Sequence, residues 1–323
     1  MSTYIIIFVI LILLELAYFR IADKFNIIDK PNLRSSHTSI TLRGGGILFL
    51  IGAWIYCGFF GLQYPWFMIG LTLIAGISFV DDVHSIKNSI RLVVHFVSMF
   101  LLFYQVGILL PEYWYIVAVA LVVCVGIINA YNFMDGINGI TGGYSLAVII
   151  PLIVVNSYDT FIDNNLLIVS SLSLLVFCFF NFRNKAKCFA GDVGSVGIAF
   201  IILFALGSLM FKSFDVSYIV FLAVYGVDSL LTIVHRIMLH EHLGEAHRKH
   251  AYQIMANELK IPHTVVSTLY TILQAAISIG LIYLPINHYV YAAIVFILLA
   301  GAYVAFMKKY YHLHEEYLKS NNC

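Results

Sequence analysis

The sequence predicts an all-α polytopic membrane protein with about 11 transmembrane helices. Hydrophobic residues make up 61% of the 323 residues and charged residues only 11%, whereas a soluble chain averages about 25% charged residues. The mean hydropathy is +0.93, and a soluble protein of this composition would expose large apolar patches and aggregate. The net charge of +1 gives no indication of a nucleic-acid partner.

A transmembrane helix needs about 20 mostly apolar residues, and eleven segments of the chain come close to this length. The first segment has neither a basic stretch before it nor a small-residue cleavage site, so we interpret it as a retained helix rather than a signal peptide. Little sequence remains between the segments, so we expect residues 1–323 to form a single integral-membrane domain. The segments span roughly residues 3–19, 44–62, 65–80, 91–110, 113–130, 139–156, 165–182, 195–211, 216–234, 265–285 and 288–307.

The Lys and Arg residues predict how these helices are oriented. When the connections are assigned to alternate sides of the membrane, 17 of the 18 Lys and Arg residues fall on one side and only Lys212 falls on the other. Because positively charged loops stay in the cytoplasm, we expect the N-terminus outside and the C-terminus inside. The expected cytoplasmic connections also hold nearly every Asp, His and Gly cluster, whereas a transporter would place its polar groups near mid-membrane. This distribution favours an enzyme that acts at the inner membrane surface.

Two cytoplasmic connections carry carboxylates and carboxamides. Asp81 and Asp82 end the third segment, and such a pair is either a solvated helix cap or a site that needs a cation nearby. Lys87 and Arg91 follow on the same connection and could hold phosphate or balance the pair. Residues 129–143 are rich in Asn and Gly, which suits either a plain turn or a ligand with hydroxyl and phosphate groups. The polar side chains of this second connection are those of Asn129, Asn132, Asp135 and Asn138.

The string FAGDVGS, residues 189–195, opens the eighth segment. Asp192 lies between Gly191 and Gly194 at a predicted helix N-terminus, where Asp is common as a cap and where the backbone favours anions. Together with Asp81 and Asp82 it offers three hard oxygen ligands. Magnesium is commonly held by one or two carboxylates together with substrate phosphates. The set therefore predicts a magnesium–diphosphate site.

The largest cytoplasmic connection holds five histidines within sixteen residues, interleaved with Arg236, Arg248 and Lys249. Zinc is one interpretation of histidines at such spacings, and a solvated loop is another. Because interleaved cations would oppose a metal dication, we favour a cationic patch for a nucleotide diphosphate. The five histidines are His235, His240, His242, His247 and His250.

Two further features have both a structural and a functional interpretation. The first cytoplasmic connection carries Arg34, His37, Thr41 and Arg43 before three glycines at the start of the second segment. They are either a positive anchor at the membrane surface or part of a binding loop. Asp228 lies inside the ninth segment, where a carboxylate marks either a functional site or a buried structural pair.

Taken in order, these motifs resemble those of the polyprenyl-phosphate N-acetylhexosamine-1-phosphate transferases, of the glycosyltransferase family 4 type. The resemblance runs from residues 31–46 through 81–82, 129–139 and 189–195 to 246–253, and so covers most of the chain. It implies transfer of a sugar 1-phosphate from a UDP-N-acetylhexosamine to undecaprenyl phosphate, with release of UMP. The implied cofactor is Mg²⁺, with Mn²⁺ as a substitute. The form EAHRKHAYQ at residues 245–253 is similar to the branch that initiates O-antigen and related surface polysaccharides.

The resemblance also implies roles for individual residues. The implied catalytic residues are Asp81, which would deprotonate or orient the lipid phosphate, Asp82, which would support it electrostatically, and Asp192. Asp192 and Asn132 would bind magnesium and the donor diphosphate. Phe189 would stack on uracil. The other implied substrate-binding residues are Arg43, Lys87, Asn129, Asp135, Asn138, His247, Arg248 and His250.

Several positions depart from the family pattern. Ser89 stands where many members carry a second basic residue and His95 stands where Gln is usual, which leaves the roles of Lys87 and Arg91 open. Asn138 stands where the phospho-N-acetylmuramoyl-pentapeptide transferases have Asp, and the last connection lacks their consecutive histidines.

Three alternatives to this reaction follow from the sequence. The peptidoglycan branch just named is the alternative within the family, and a membrane transporter is the alternative of a different class. An alcohol phosphotransferase of phospholipid synthesis should carry a DGxxAR-type string, and DGING at residues 135–139 does not continue in that way. The expected location is the bacterial inner membrane, as a multi-pass protein in the lipid bilayer, and the sequence is compatible with a homodimer. No nucleic-acid partner is expected.

Overall fold

The computed structural model describes residues 2–31, 36, 39–242 and 247–321. Of the sequence features above, Arg34, His37, Glu245 and Ala246 lie outside these residues. The described chain contains twelve α-helices, two 3₁₀ segments at Pro111–Tyr113 and Val216–Leu222, and one antiparallel pair of two-residue strands, β1 (Ile28–Asp29) and β2 (Thr41–Leu42). The helices are α1 (Ser2–Lys24), α2 (Ile47–Phe60), α3 (Pro65–Val83), α4 (Asn88–Val106), α5 (Trp114–Met134), α6 (Ile140–Tyr158), α7 (Asn164–Asn181), α8 (Gly191–Ser213), α9 (Ala223–Met238), α10 (Ala251–Asn257), α11 (His263–Tyr283) and α12 (His288–Asn321).

In this described part of the chain, ten segments are long and apolar enough to cross a membrane. The prediction of an all-α polytopic membrane protein is therefore confirmed. The remaining segment of the eleven that the sequence indicated corresponds to α2, which has 14 residues. Such a helix is about 21 Å long, shorter than the hydrocarbon core of about 30 Å. Which side of the membrane each connection faces stays a prediction.

Helix α8 is the centre of the bundle. It is apolar on nearly all sides and is packed against α2, α3, α5 and α6, which is typical of a fully buried helix. Its first turn lies against the start of α2. A Cβ atom on Gly46 would lie 2.2 Å from the Cα of Gly194, so this close approach requires glycine.

The connection before α8 runs beside strand β2. The amide of Phe189 donates to the carbonyl of Leu42 at 2.8 Å, and the amides of Gly45 and Gly46 donate to the carbonyls of Phe189 and Ala190 at 2.9 and 3.1 Å. These backbone bonds place Arg43, which follows β2, next to the start of α8.

The ninth predicted segment is interrupted at the junction of the second 3₁₀ segment with α9. The side chain of Gln274 on α11 replaces hydrogen bonds that a continuous helix would make. Its Oε1 accepts from the amide of Val224 at 3.1 Å and its Nε2 donates to the carbonyl of Val220 at 3.0 Å. Inside a membrane such a break is tolerated where a neighbouring helix satisfies the backbone groups.

Helix α12 continues to Asn321, well beyond the predicted end at residue 307. Hydropathy misses this part because only one of its faces is apolar. Tyr303, Met307 and Tyr311, spaced four residues apart, lie on that face and pack with Ala251 and Ile254 of α10. We refer to residues 308–321 as the α12 extension.

Candidate active site

The side chain of Asp82, at the end of α3, is fully buried and caps α8 from outside that helix. Its carboxylate accepts the amides of Asp192 and Val193, each at 3.0 Å, which are two of the free N–H groups at a helix start. Gly191 makes this contact possible. Its φ is +70° and a Cβ atom there would lie 2.6 Å from Asp82 Oδ2, so only glycine fits the position.

Two arginines join the three predicted catalytic carboxylates into one cluster. Arg43 contacts Asp82 through Nε at 2.6 Å and Asp192 through Nη2 at 3.3 Å. Arg91, near the start of α4, contacts Asp81 through Nη1 at 2.5 Å and Asp192 through Nη2 at 3.3 Å. Burial alone would lower the pKa of Arg43, but the charges of Asp82 and Asp192 raise it. Arg43 therefore holds positive charge at the centre of the cluster.

A cavity of about 300 Å³ adjoins this cluster. It is bounded by the ends of α5 and α7, the start of α8 and the connections that flank them, together with α10 and the start of α11. Six residues to which the sequence analysis assigned substrate or metal binding line it, namely Arg43, Asn132, Asp135, Asn138, Phe189 and Asp192.

Asp135, on the wall of the cavity, has a clearly shifted pKa. Burial raises its pKa to about 7, the hydrogen bond from the Thr141 hydroxyl at 2.6 Å opposes this change, and the charges of Asp192 and Asp82 add to it. A carboxyl group with a pKa near 7 can either accept or donate a hydrogen bond at neutral pH. Such a group suits a ligand rich in hydroxyl and amide groups.

Carboxamide side chains fix the connection that carries Asp135. Asn138 donates to the carbonyl of Arg183 at 2.9 Å. Asn181, at the end of α7, accepts the amide of Gly139 at 2.7 Å and donates to the carbonyl of Cys188 at 2.8 Å. Asn181 therefore holds the Asn- and Gly-rich connection and the connection before α8 at a fixed separation.

The predicted binding residues of the last connection do not line the cavity. Arg248 forms an ion pair with Glu258 at 2.9 Å. The ring of His247 lies 5.1 Å from that of His250 and 6.2 Å from that of Phe133. Burial, together with neighbouring positive charge, lowers the pKa of His247 to about 3, so its imidazole is neutral at physiological pH.

Asp228 is a buried structural carboxylate. It accepts the amides of Ala251 and Tyr252 at 3.0 and 3.4 Å, the hydroxyl of Tyr270 at 2.6 Å, and lies 3.3 Å from His250 Nδ1. Of the two interpretations of this residue, the structure therefore favours the structural one, in which Asp228 caps α10 from α9.

The cavity wall contains both residues that the sequence analysis assigned to metal binding. Among the described residues, no group of three or more His, Cys, Asp or Glu side chains is placed to hold a metal ion together. Asp192 and Asn132 both line the cavity, and Nδ2 of Asn132 donates to Ser195 at 3.3 Å. One carboxylate and one amide oxygen match a magnesium ion whose other ligands are phosphates and water.

Comparison with known proteins agrees with this geometry. The model of glycosyl transferase family 4 matches residues 64–210. A probable undecaprenyl-phosphate N-acetylglucosaminyl 1-phosphate transferase of Bacillus subtilis is 26% identical over 260 residues, which cover 72% of this chain and 70% of that relative. The matched region is thus similar to glycosyl transferase family 4. The resemblance to the polyprenyl-phosphate hexosamine-1-phosphate transferases is thereby confirmed, and both findings support a phosphosugar transferase.

Two further relatives carry a different name. A phospho-N-acetylmuramoyl-pentapeptide-transferase of Deinococcus radiodurans is 34% identical over 112 residues, which cover 35% of this chain and 32% of that relative. The enzyme of the same name from Thermotoga maritima is 25% identical over 214 residues, which cover 59% of this chain and 66% of that relative.

Some predicted site residues lie away from the cavity, and some cavity residues were not predicted. Lys87 is exposed at the start of α4, and Asn129 is exposed on α5, where it donates to the carbonyl of Val125 at 3.0 Å. The sequence did offer one signal for the unpredicted residues, because Asn181 is a polar residue at the end of an apolar segment. The unpredicted cavity residues with polar side chains are Asp29, Ser36, Asn181, Gln253 and His263.

Proposed function

We propose that this protein transfers an N-acetylhexosamine 1-phosphate from a UDP-sugar to undecaprenyl phosphate, with release of UMP. The observation that carries the proposal is the contact between the cavity and the carboxylate cluster. Asp192 belongs to both, and Arg43 and Arg91 connect it to Asp82 and Asp81. A donor diphosphate in the cavity would therefore lie next to an acceptor phosphate at Asp81.

In the proposed arrangement the cavity takes the donor. Phe189, half-buried on the cavity wall, offers an aromatic face for uracil. Asp135 and Asn138 offer hydrogen-bonding groups to the rest of the donor. Asp192 and the carbonyl oxygen of Asn132 would hold Mg²⁺, or Mn²⁺ in its place. When bound, the metal neutralises the diphosphate and stabilises the departing UMP.

The acceptor phosphate is proposed to meet Arg91 and Asp81. Phosphoryl transfer depends mainly on positioning and charge neutralisation, and a guanidinium group supplies both through paired hydrogen bonds to phosphate. A phosphomonoester has a second pKa of about 6, so the lipid phosphate is largely anionic at neutral pH. Asp81 would then orient the phosphate more than deprotonate it, and the lipid phosphate would attack the sugar-linked phosphorus in one step.

The finer assignment within the family rests on the last connection. Its form, with single histidines separated by Arg248 and Lys249, supports the branch that initiates surface polysaccharides such as O-antigen. The second candidate is phospho-N-acetylmuramoyl-pentapeptide transfer, which is favoured by the names of the Deinococcus and Thermotoga relatives. By analogy with these bacterial relatives, we place the protein in the cytoplasmic membrane.

The test is a panel of labelled donors incubated with purified protein, undecaprenyl phosphate and Mg²⁺. The panel contains UDP-N-acetylglucosamine, a UDP-linked N-acetylated 6-deoxyhexose and UDP-N-acetylmuramoyl-pentapeptide, with Asp192→Asn as the matched inactive variant. Lipid-linked label from either of the first two donors supports the proposal. Lipid-linked label from the pentapeptide donor alone would assign the protein to the peptidoglycan branch. The absence of lipid-linked label with all three donors would refute the proposed reaction.

A further inference from the structure

The short helix α10 forms part of the cavity wall through Gln253. A helix of seven residues is not stable alone, so contacts with other elements must set its position. Asp228 holds its N-terminal end through the amides of Ala251 and Tyr252. The Oε1 atom of Gln253 also accepts the amide of His250 at 3.3 Å, which fixes the first turn.

The other end of α10 is held by the α12 extension. Glu258, which follows the last residue of α10, has a side chain that is only 3% exposed. Its Oε1 atom accepts from Arg248 Nη2 and pairs with Nδ1 of His314, each at 2.9 Å. Burial alone would raise the pKa of Glu258, but the hydrogen bonds with His314 and Arg248 lower it below its usual value. The carboxylate is thus a buried charge with two partners from different elements.

Tyr317 covers the outer side of Arg248. The guanidinium carbon lies 3.9 Å from the centre of the Tyr317 ring, and the Arg248 side chain is 11% exposed. An arginine stacked on an aromatic face at this distance makes a cation–π contact that is stronger when water is excluded. The sequence analysis assigned Arg248 to substrate binding. In the structure it instead connects Glu258, at the end of α10, with Tyr317 of the α12 extension.

We propose that the α12 extension is a positioning element for the cavity, in which Tyr317 and His314 act through Arg248 and Glu258 to hold α10, and with it Gln253, in place for donor binding. The nature of the donor rests on the proposed function. Tyr317 and His314 are positioning residues in this proposal, because their contacts are with the protein and not with the reacting groups.

The first measurement does not depend on activity. In the full-length protein in detergent, trypsin should cleave slowly after Arg248 and Lys249, whose side chains are 11% and 10% exposed. Tyr317→Ala removes the covering ring and should accelerate cleavage there about tenfold, whereas Tyr317→Phe keeps the ring and should cleave like the wild type. His312→Ala, at an exposed position of the same helix, is the matched control. If Tyr317→Ala is not monodisperse, Tyr317→Leu replaces it.

The second measurement separates positioning from general stability. Tyr317→Ala should raise the KM for the UDP-sugar about tenfold, and should leave kcat and the KM for undecaprenyl phosphate within about twofold. In an Arg248→Ala background the same substitution should add little, because both changes remove one interaction.

The outcomes distinguish this proposal from the proposed function. Cleavage that is unchanged in Tyr317→Ala, or a fall in kcat with an unchanged donor KM, would overturn the positioning role. If Tyr317→Ala is cleaved faster but the wild-type protein uses no UDP-sugar, the result would support the positioning of α10 by the α12 extension and would refute the proposed reaction.

Discussion

Replacing Asp82 by asparagine should destabilise the protein at the start of α8. In the native protein Oδ1 of Asp82 accepts the amide of Asp192 and contacts Arg43 Nε, while Oδ2 accepts the amide of Val193. Asparagine keeps the size of the side chain but turns one oxygen into an N–H donor. At least one amide at the start of α8 then loses its acceptor and faces a second donor in a fully buried position.

The magnitude follows from these contacts. A hydrogen bond to a charged group contributes about 1.5–3 kcal/mol, and a buried donor left without a partner costs about 1–3 kcal/mol. Because the two effects overlap, we expect a loss of roughly 3 kcal/mol in the free energy of unfolding, which corresponds to a fall of about 4 °C in Tm for a chain of 323 residues. The control is Asp159→Asn, which breaks the exposed ion pair of Asp159 with Lys212 and should cost at most about 1 kcal/mol.

Thermal unfolding of the detergent-solubilised protein, followed by the fluorescence of its three tryptophans, measures both variants. The capping role of Asp82 predicts that Asp82→Asn melts well below the control. Equal melting temperatures for Asp82→Asn and Asp159→Asn would refute the reasoning.

Three further predictions concern the site and the membrane topology. Asp192→Asn should lower turnover by about a hundredfold or more without a large change in Tm. Near-normal turnover would mean that Asp192 only caps the start of α8. Burial raises the pKa of Asp135 from 3.8 to about 7, so the contribution of the protonated Asp135 to stability is complete below about pH 4 and is lost as the pH rises through 7. The Tm of the wild type should therefore fall more than that of Asp135→Asn between pH 5 and pH 8. Parallel curves of Tm against pH for the two proteins would contradict this. In intact cells carrying a variant without the native cysteines, an impermeant thiol reagent should label Ser157→Cys and not Glu315→Cys, and the reverse pattern would overturn the predicted orientation.

The length and apolarity of the segments were enough to predict the membrane helices, because a bilayer constrains helix length directly. Convergence of Asp81, Asp82 and Asp192 could also be predicted, since these residues lie on connections at one side of the membrane. The direct contacts that join these residues could not be predicted. Arg43 reaches Asp82 and Asp192 because β2 runs beside the connection before α8, and nothing local in the sequence encodes that pairing.

The partner of a charged side chain is decided by tertiary packing, which explains the residues whose position was not predicted. Arg248 lies in a motif that resembles a donor-binding group, yet it pairs with Glu258 and stacks on Tyr317. The α12 extension was not predicted because hydropathy detects apolar segments and this segment is polar on all but one face. The four-residue spacing of Tyr303, Met307 and Tyr311 is the sequence signal that indicates this continuation of the helix.

The most direct test of the central claim follows the donor phosphate itself. A UDP-sugar labelled with ³²P in the β-phosphate and with ³H in the sugar is incubated with purified protein, undecaprenyl phosphate and Mg²⁺. Transfer of a sugar 1-phosphate places both labels in the lipid fraction at the ratio of the donor and releases unlabelled UMP. Tritium in the lipid without ³²P, with ³²P recovered in UDP, would show transfer of the sugar alone and would contradict the account.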